Sequence, residues 1–311
     1  MCVTHAVARP YQPASDEPVA LALWDACVGD RWPVPPAVFR ALISEGTTLV
    51  LEDGGTTAGL LVAQCNGDRG SILAVLVAPA HRRHGLGRTL VAAAEAELRK
   101  QGATDIQLGG GGHSYFWCGV PSDLSGAWAF CQACGWTRQE TAFDLVGALP
   151  KCTTPPWVWQ RVRAVGVTVR RALPSDMEPA LRFEHAHFPQ WAAHYESVVR
   201  SGEGRDMVVA VDGDGEVVGT SGILSPRSAG WRGRFPWPRR LGDDTGGVGA
   251  LGVAEAQRGK GIGLALAAFV TERLREEGLT HSYVGWTWLV DWYGHLGYRV
   301  WQEYVISRKA L

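Results

Sequence analysis

Apolar positions along this chain of 311 residues recur with two periods, and one succession of those periods is written twice. Short apolar runs bounded by Gly, Asp and Pro read as strands, and longer runs with apolar positions three and four apart read as helices. In the first copy, Thr48–Glu52 and Ala58–Gln64 flank Asp53-Gly54-Gly55 and predict a hairpin. In the second, Met207–Val211 and Val217–Ile223 flank Asp212–Gly215 and predict another. Each hairpin leads into an apolar strand, Ile72–Val77 or Val248–Val253, and then into a helix, about Leu86–Gln101 or Ile262–Gly278. Val91, Ala94 and Leu98 mark the buried stripe of one helix; Leu264, Ala267, Ala268 and Leu274 mark the other. Gly102 and Gly278 stop them. A further strand, a short helix and a last strand, Arg299–Ile306 in the second copy, close each unit.

The copies lie roughly 160–175 residues apart, a period that means duplicated domains rather than a solenoid. The first copy is longer by a stretch that includes Gly109–Gly112 and H-S-Y-F-W-C-G-V-P-S-D. The expected division is 1–150, a linker 151–166, and 167–311. Prolines in Gly147–Arg163 argue against helix or sheet there. V-T-V-R-R-A-L-P-S-D, from Val167, restarts the pattern. A second proline-rich stretch, Ser225–Arg240, reads either as a solvated loop or as a flap over a site.

Between strand and helix, the copies read V-A-P-A-H-R-R-H-G-L-G (Val77–Gly87) and V-A-E-A-Q-R-G-K-G-I-G (Val253–Gly263). A strand, a glycine turn and a helix N-terminus together offer unpaired backbone N–H groups and partial positive charge to an anion. The spacing is neither a P-loop nor a dinucleotide fingerprint. It is R-x-x-G-x-G: Arg82, Gly85, Gly87 and Arg258, Gly261, Gly263. That resembles the acetyl-CoA loop of the GNAT N-acetyltransferases. The resemblance implies an α/β fold of the α+β kind: two tandem domains, each a mixed, mostly antiparallel central sheet flanked by helices. It also implies that acetyl-CoA is the cosubstrate, with its pantetheine arm and acetyl carbonyl along splayed strands that end at Val77 and Val253, and its pyrophosphate at Arg82, Arg83, His84, Gly85, Leu86 and Gly87 and at Arg258, Gly259, Lys260, Gly261, Ile262 and Gly263. The plainer reading of Arg82, Arg83, Arg258 and Lys260 is a solvated basic turn.

In this family the leaving thiolate is served by the tyrosine of Y-x-x-x-G-[FY]. The second copy has Tyr293, Gly297 and Tyr298; the first has Cys131 in F-C-Q-A-C-G-W. A phenol donates a proton to a leaving sulfur better than a short thiol does. The resemblance therefore implies an active second domain and a first domain kept for cofactor binding or structure. Asp291 is expected either as the base or as an N-cap, with Glu184, His185 and Glu303 in reserve. Cys131 and Cys134 form a lone C-x-x-C pair, which reads as core thiols with no metal. Trp286, Trp288, Trp292 and Trp301 read as core packing for at least two of them, and otherwise as a flat wall for a sugar face, with Trp286 and Trp288 taken as substrate contacts.

Composition narrows the partners. With 30 Lys and Arg against 31 Asp and Glu, net charge is −1, and no global field favours nucleic acid or an anionic membrane. No apolar run approaches the ~18 residues of a span. Seven cysteines without framework spacing fit a reduced cytoplasm. The tandem arrangement resembles two branches of the family, two-domain glucosamine or glucosaminide N-acetyltransferases and, more distantly, mycothiol synthase. The W-T-x-L-V-D-x-Y stretch leans toward an amino-sugar acceptor. An aminoglycoside or other small amine, a non-catalytic acyl-CoA sensor and a structural partner are the competing readings. The sequence fixes no oligomeric state.

Overall fold

A computed structural model describes residues 6–44, 46–110, 116–202, 204–228, 231 and 235–311. The chain forms two compact units. The first comprises Met1–Phe143, Gly233–Arg240 and Gln302–Leu311; the second comprises Asp144–Arg232 and Leu241–Trp301.

The first unit opens with β1 (Val7–Pro10), α1 (Pro13–Trp24), a π-helical turn Asp25–Gly29 and α2 (Pro36–Ser44). The predicted hairpin follows as β2 (Thr47–Asp53) and β3 (Thr56–Asn66). Gly54 and Gly55 both take positive φ, 60° and 79°, which a two-residue turn of right-twisted strands requires. Then come β4 (Arg69–Val77), α3 (Leu86–Lys100), β5 (Asp105–Leu108), β6 (Val120–Pro121), α4 (Ser125–Ala133) and β7 (Glu140–Ala148). The sheet runs β1-β2-β3-β4-β5 and is antiparallel except for the parallel β4–β5 pair. Residues Arg308–Ala310 complete its edge antiparallel to β5. The expected stripe of α3 is buried: Val91, Ala94 and Leu98 join Leu86 and Leu90 against the sheet. Gly102 (φ 96°) lets Ala103 N–H reach back to the Leu98 carbonyl and end the helix.

The second unit holds α5 (Pro156–Ala164), β8 (Thr168–Arg171), α6 (Met177–His187), α7 (Pro189–Arg200), β9 (Met207–Val211), β10 (Val217–Leu224), β11 (Thr245–Val253), α8 (Ile262–Glu276), β12 (His281–Thr287) and α9 (Val290–Gly294). The strand order from β7 is β7-β12-β11-β10-β9-β8, and β11–β12 is the parallel pair. α8 is buried on most of its circumference, including Leu264, Ala267, Ala268 and Leu274. Two strands finish the chain, β13 (Arg299–Ile306) and β14 (Arg308–Ala310). Each unit is thus a mixed, mostly antiparallel sheet with helices packed on it.

Three expectations change. The units do not follow the division at 1–150 and 167–311: from Asp144 onward β7 belongs to the second unit, and from Gln302 onward β13 and β14 belong to the first. Alternation along a strand sets which side chains share a face, not which sheet receives the strand. The proline-rich linker carries helix α5, because Pro155 and Pro156 sit at its N-cap and first turn, where a missing N–H is harmless. The stretch 225–240 is neither a solvated loop nor a flap at its tryptophans. Trp231 is buried in the second unit, where its indole donates to the Thr245 carbonyl (2.8 Å). Trp237 is buried in the first unit's aromatic core with Trp24, Trp32, Phe116 and Trp117. His113, Ser114 and Tyr115 of the longer first copy lie outside the described residues. Among the described residues, no helix is long and apolar enough to cross a membrane.

Candidate active site

The second unit builds its site at the end of β11. β11 carries one more residue than β10 between two ladder pairs, Thr220 with Gly252 and Gly222 with Gly249. The extra residue makes a bulge, where Ala250 takes a φ of 42° and its carbonyl accepts from the Tyr195 hydroxyl (2.7 Å). On its other edge, β11 pairs with β12 only at Thr245–Gly247 against His281–Tyr283. Past Gly247 the ladder with β12 ends, so among the described residues the β11 edge from Val248 to Val253 has no ladder partner on that side. An edge without a ladder partner leaves backbone N–H groups available to a bound chain.

The glycine loop follows directly. A 3-10 turn Glu255–Gln257 leads to Arg258, whose Nε donates back to the Val253 carbonyl (3.4 Å). Gly259 and Gly261 take φ of 79° and 88°, the left-handed region that glycine enters without steric cost. Gly261 is the N-cap of α8, so the first N–H groups of that 15-residue helix have no intrahelical acceptor. Lys260 Nζ donates to Gln257 Oε1 (2.7 Å), so this cation braces the loop. A Cβ on Gly263 would sit 3.3 Å from the Trp292 ring, so this glycine serves helix packing. A Cβ on Gly261 would lie 2.9 Å from Cδ of Arg161 on α5. Arg161 lies in the stretch expected as linker, and no local pattern marks it as a neighbour of the loop.

The first unit repeats this geometry. β4 has its own bulge between Ile72 and Ala74, Arg82 Nε donates to the Val77 carbonyl (3.0 Å), and Gly85 (φ 84°) caps α3. A Cβ on Gly87 would meet the Phe130 ring at 2.9 Å, as Gly263 meets Trp292. Arg83 holds the left-handed place of Gly259 with a φ of 70°, which a side chain adopts at a cost. His84 and Leu86 match Lys260 and Ile262 in the loop order.

Tyr293 lies in α9, buried, its ring edge-on to Trp292 (4.7 Å) and 5.6 Å from the Tyr298 ring. The two phenols differ. The Tyr298 hydroxyl lies 2.8 Å from Thr271 Oγ1 and within hydrogen-bond distance of Ser282 Oγ, to which it donates (2.7 Å). The Tyr293 hydroxyl makes no hydrogen bond among the described residues, and burial holds its proton on far above the usual phenol range. It is a neutral phenol with a proton to give. At the matching place Cys131 is buried and its thiol is pushed up to about 12 by that burial; Cys134 is half-buried, and both are free thiols. Among the described residues, no three His, Cys, Asp or Glu side chains are grouped to hold a metal.

Asp291 is exposed in the first turn of α9 and is not its N-cap; Leu289 is. The cap reading is therefore corrected. The chain enters α9 through a turn in which Leu289 N–H donates to Thr287 Oγ1 (3.1 Å), so no side chain is needed at the cap. His185 is exposed and pairs with Glu196 (2.9 Å). Glu303 falls in the first unit and pairs with Arg138 (3.3 Å).

Glu184 behaves otherwise. It is fully buried on α6, with Oε1 accepting from the Thr220 hydroxyl and Oε2 without a hydrogen-bond partner. Burial pushes its acid up to about 7. Counting along the helices from matched aspartates gives its counterpart. Asp16 and Asp176 are both buried, and each accepts from an arginine (Arg9, Arg170) and from a backbone N–H just upstream. Eight residues on, the first unit has Trp24 where the second has Glu184.

The tryptophans divide as follows. Trp286 and Trp288 are 36% and 48% exposed, their rings 6.4 Å apart and inclined at 50°. Trp292 and Trp301 are half-buried against Tyr293 and Tyr283. Trp286 takes a φ of 51°, a true outlier for a bulky residue. Buried Asp144 holds it there by accepting from the Trp286 N–H (2.9 Å) and the Tyr283 hydroxyl (2.6 Å). A carboxylate inside the apolar run A-F-D-L-V was the signal for Asp144.

Comparison with known proteins bears on this geometry. The family model for acetyltransferases (GNAT) matches twice, at residues 18–136 and 171–298. The chain belongs to the GNAT acetyltransferase family. Several solved GNAT structures resemble it over nearly its whole length. One is described as a GCN5-related glucosamine N-acetyltransferase region in a fungal multi-domain GH3 beta-N-acetylglucosaminidase; it is 27% identical over 99% of this chain, with a TM-score of 0.91. The match spans 38% of that longer chain. A GNAT from Sphaerobacter thermophilus is 21% identical, covering 98% of this chain and 95% of its own, with a TM-score of 0.69. A tandem GNAT protein from the clavulanic acid biosynthesis pathway is 18% identical, covering 98% of each chain, with a TM-score of 0.63. These last two share the fold. No curated protein sequence matched this GNAT chain.

Proposed function

We propose that this GNAT chain transfers the acetyl group of acetyl-CoA to the primary amine of an amino sugar, with the chemistry in the second unit. The observation that carries the reading is the pairing of a complete glycine loop with an unbonded, neutral phenol at Tyr293. The loop from Val253 to Gly263 fits a pyrophosphate by its chemistry: two left-handed glycines, a free helix N-terminus and Arg258. The unpaired edge of β11 offers N–H groups to the pantetheine arm and to the developing oxyanion, where such a donor is worth about 3 kcal/mol. Tyr293 gives its proton to the sulfur as the C–S bond breaks. The first unit's loop retains the binding geometry, with Cys131 in place of the acid, and serves cofactor binding or structure.

The amino-sugar acceptor rests on two supports. The glucosamine N-acetyltransferase region is similar over the whole chain. Trp286 and Trp288 present exposed indoles of the kind that stack on a pyranose. The test is release of free thiol from acetyl-CoA on adding a panel of primary amines headed by glucosamine. Turnover of aminoglycosides or peptides alone would remove the sugar and leave the transferase. No turnover with any amine would leave an acyl-CoA-binding module.

A further inference from the structure

We propose that Glu184 is the general base that takes the proton from the acceptor amine, a role that rests on the acetyltransferase reading above. The carboxyl is fully buried, one oxygen is held by Thr220 and the other has no partner. A buried acceptor left unmet is costly and needs a reason. Its place supplies one. Thr220 is the ladder partner of Gly252, and adjacent antiparallel strands stand ~5 Å apart at such a pair. Gly252 lies between the bulge and the glycine loop, on the stretch of β11 whose far edge is open. The free oxygen is thus one strand from the backbone that would receive the thioester, within reach of one water. In the first unit, where Cys131 replaces the acid, Trp24 replaces this base. Acid and base are exchanged together for groups that cannot serve.

Among the described residues, none on the elements packed against Glu184 holds its free oxygen. On α6, His185 pairs with Glu196 of α7 at the exposed surface, and His187 packs on Phe183 and Phe188. On α7, Tyr195 donates to the Ala250 carbonyl, His194 packs edge-on to Tyr195, and Arg200 lies 4.0 Å from Glu196. In the 3-10 turn before α6, Asp176 is bound by Arg170. β10 and β11 carry no ionisable side chain. Burial is the main influence, and it places the acid near neutrality, where a base is most effective.

The protons balance. Glu184 takes one from the ammonium, directly or through water, freeing the nitrogen lone pair. That pair forms the N–C bond while the carbonyl π pair moves to oxygen. On collapse the C–S bond breaks, its electron pair leaves on sulfur, and sulfur takes the Tyr293 proton. The second nitrogen proton restores Tyr293, and Glu184 returns its own to solvent.

The test uses the full chain, acetyl-CoA and the amine panel, followed by thiol release from pH 5.5 to 9. Glu184→Gln keeps the shape and the Thr220 hydrogen bond. It should lower kcat/KM by ~10²–10³-fold and abolish the acidic limb, with acetyl-CoA affinity by calorimetry unchanged. Thr220→Val removes a bond that favours the carboxylate, so the limb should move to higher pH with its plateau kept. A structural role would not move the limb. Asp291→Asn should stay within about twofold of wild type. A limb that survives in Glu184→Gln, stays fixed in Thr220→Val, or disappears in Asp291→Asn overturns the assignment while wild-type turnover stands. A wild type that acetylates no amine overturns the acetyltransferase reading and this base with it.

Discussion

The two glycine loops differ less in their backbone than in the side chains brought to them. Both have the bulged strand, an arginine folded onto the last strand carbonyl, a left-handed glycine at the helix cap and a small residue under an aromatic ring. Both have a buried aspartate paired with an arginine at the start of the first long helix. What differs is Tyr293 against Cys131, Glu184 against Trp24, and Gly259 against Arg83. Arg161 also covers Gly261, whereas the space beside Gly85 is open. The groups that shape a phosphate cradle are backbone and glycine, and they persist without chemistry. The groups that move protons are two side chains, and an indole and a thiol of comparable burial replace them without disturbing the fold. Binding geometry and catalysis are therefore separable in one chain.

The sharpest way to break the comparison is to strain each loop equally. Gly261→Val and Gly85→Val both force a β-branched residue to positive φ, at about 1–2 kcal/mol each. The first should abolish turnover and CoA binding by the second unit, since valine also collides with Arg161; the second should spare turnover. Loss of activity in Gly85→Val alone would reverse the division of labour. Next in size, Tyr293→Phe should lower kcat by ~10²-fold with acetyl-CoA KM unchanged, while Cys131→Ala should leave kcat as it is. Equal rates for Tyr293→Phe and wild type would reduce Tyr293 to packing.

A third effect is on stability. The fold raises the Glu184 acid from 4.5 to about 7, so it binds the proton more tightly than the unfolded chain does. The stabilisation is complete below about pH 4.5 and is lost as pH rises through about 7. Glu184→Gln should therefore match wild type at pH 4 and exceed it at pH 8 by on the order of 3 kcal/mol in urea unfolding. Trp24 carries no such charge, so no equal pH-linked change should come from the first unit's counterpart. Parallel stability curves at both pH values would mean that the carboxyl is not strained. The smallest effect concerns the acceptor. Asp144→Asn keeps one acceptor and loses one charge-assisted bond, so Trp286 should relax from its left-handed conformation. Acceptor KM should rise about tenfold with acetyl-CoA KM constant. Equal changes in both would place Asp144 in general folding.

What the sequence showed and what it concealed follow from range. The hairpins, the two long helices and both loops rest on local periods and glycine spacing, and they fall within a few residues of their expected bounds. Helix α5 was hidden because Pro155 and Pro156 forbid a helix interior but favour a helix start. Tyr293 was legible from its motif, but its free phenol was not: that depends on Tyr298 taking Thr271 and Ser282. Glu184 was one acidic residue among several until the packing of α6 on β10 removed it from water. Asp144 and Arg161 act on residues a hundred or more positions away, and no local pattern announces such a contact.

The ownership of residues 302–311 sets an order in time. On a ribosome, the edge of β5 that pairs with Arg308–Ala310 emerges long before its partner strand does. With about 200 residues between β5 and its partner still to come at about 5–20 residues per second, that edge waits on the order of ten to forty seconds. An unpaired strand edge is a template for foreign strands over that interval. The second unit's residues must be made before the first can finish its sheet, so a cut between the two sequence repeats yields a fragment lacking its own last strand. Expression of the repeats as separate pieces would then report the cost of an open edge rather than the properties of either cradle.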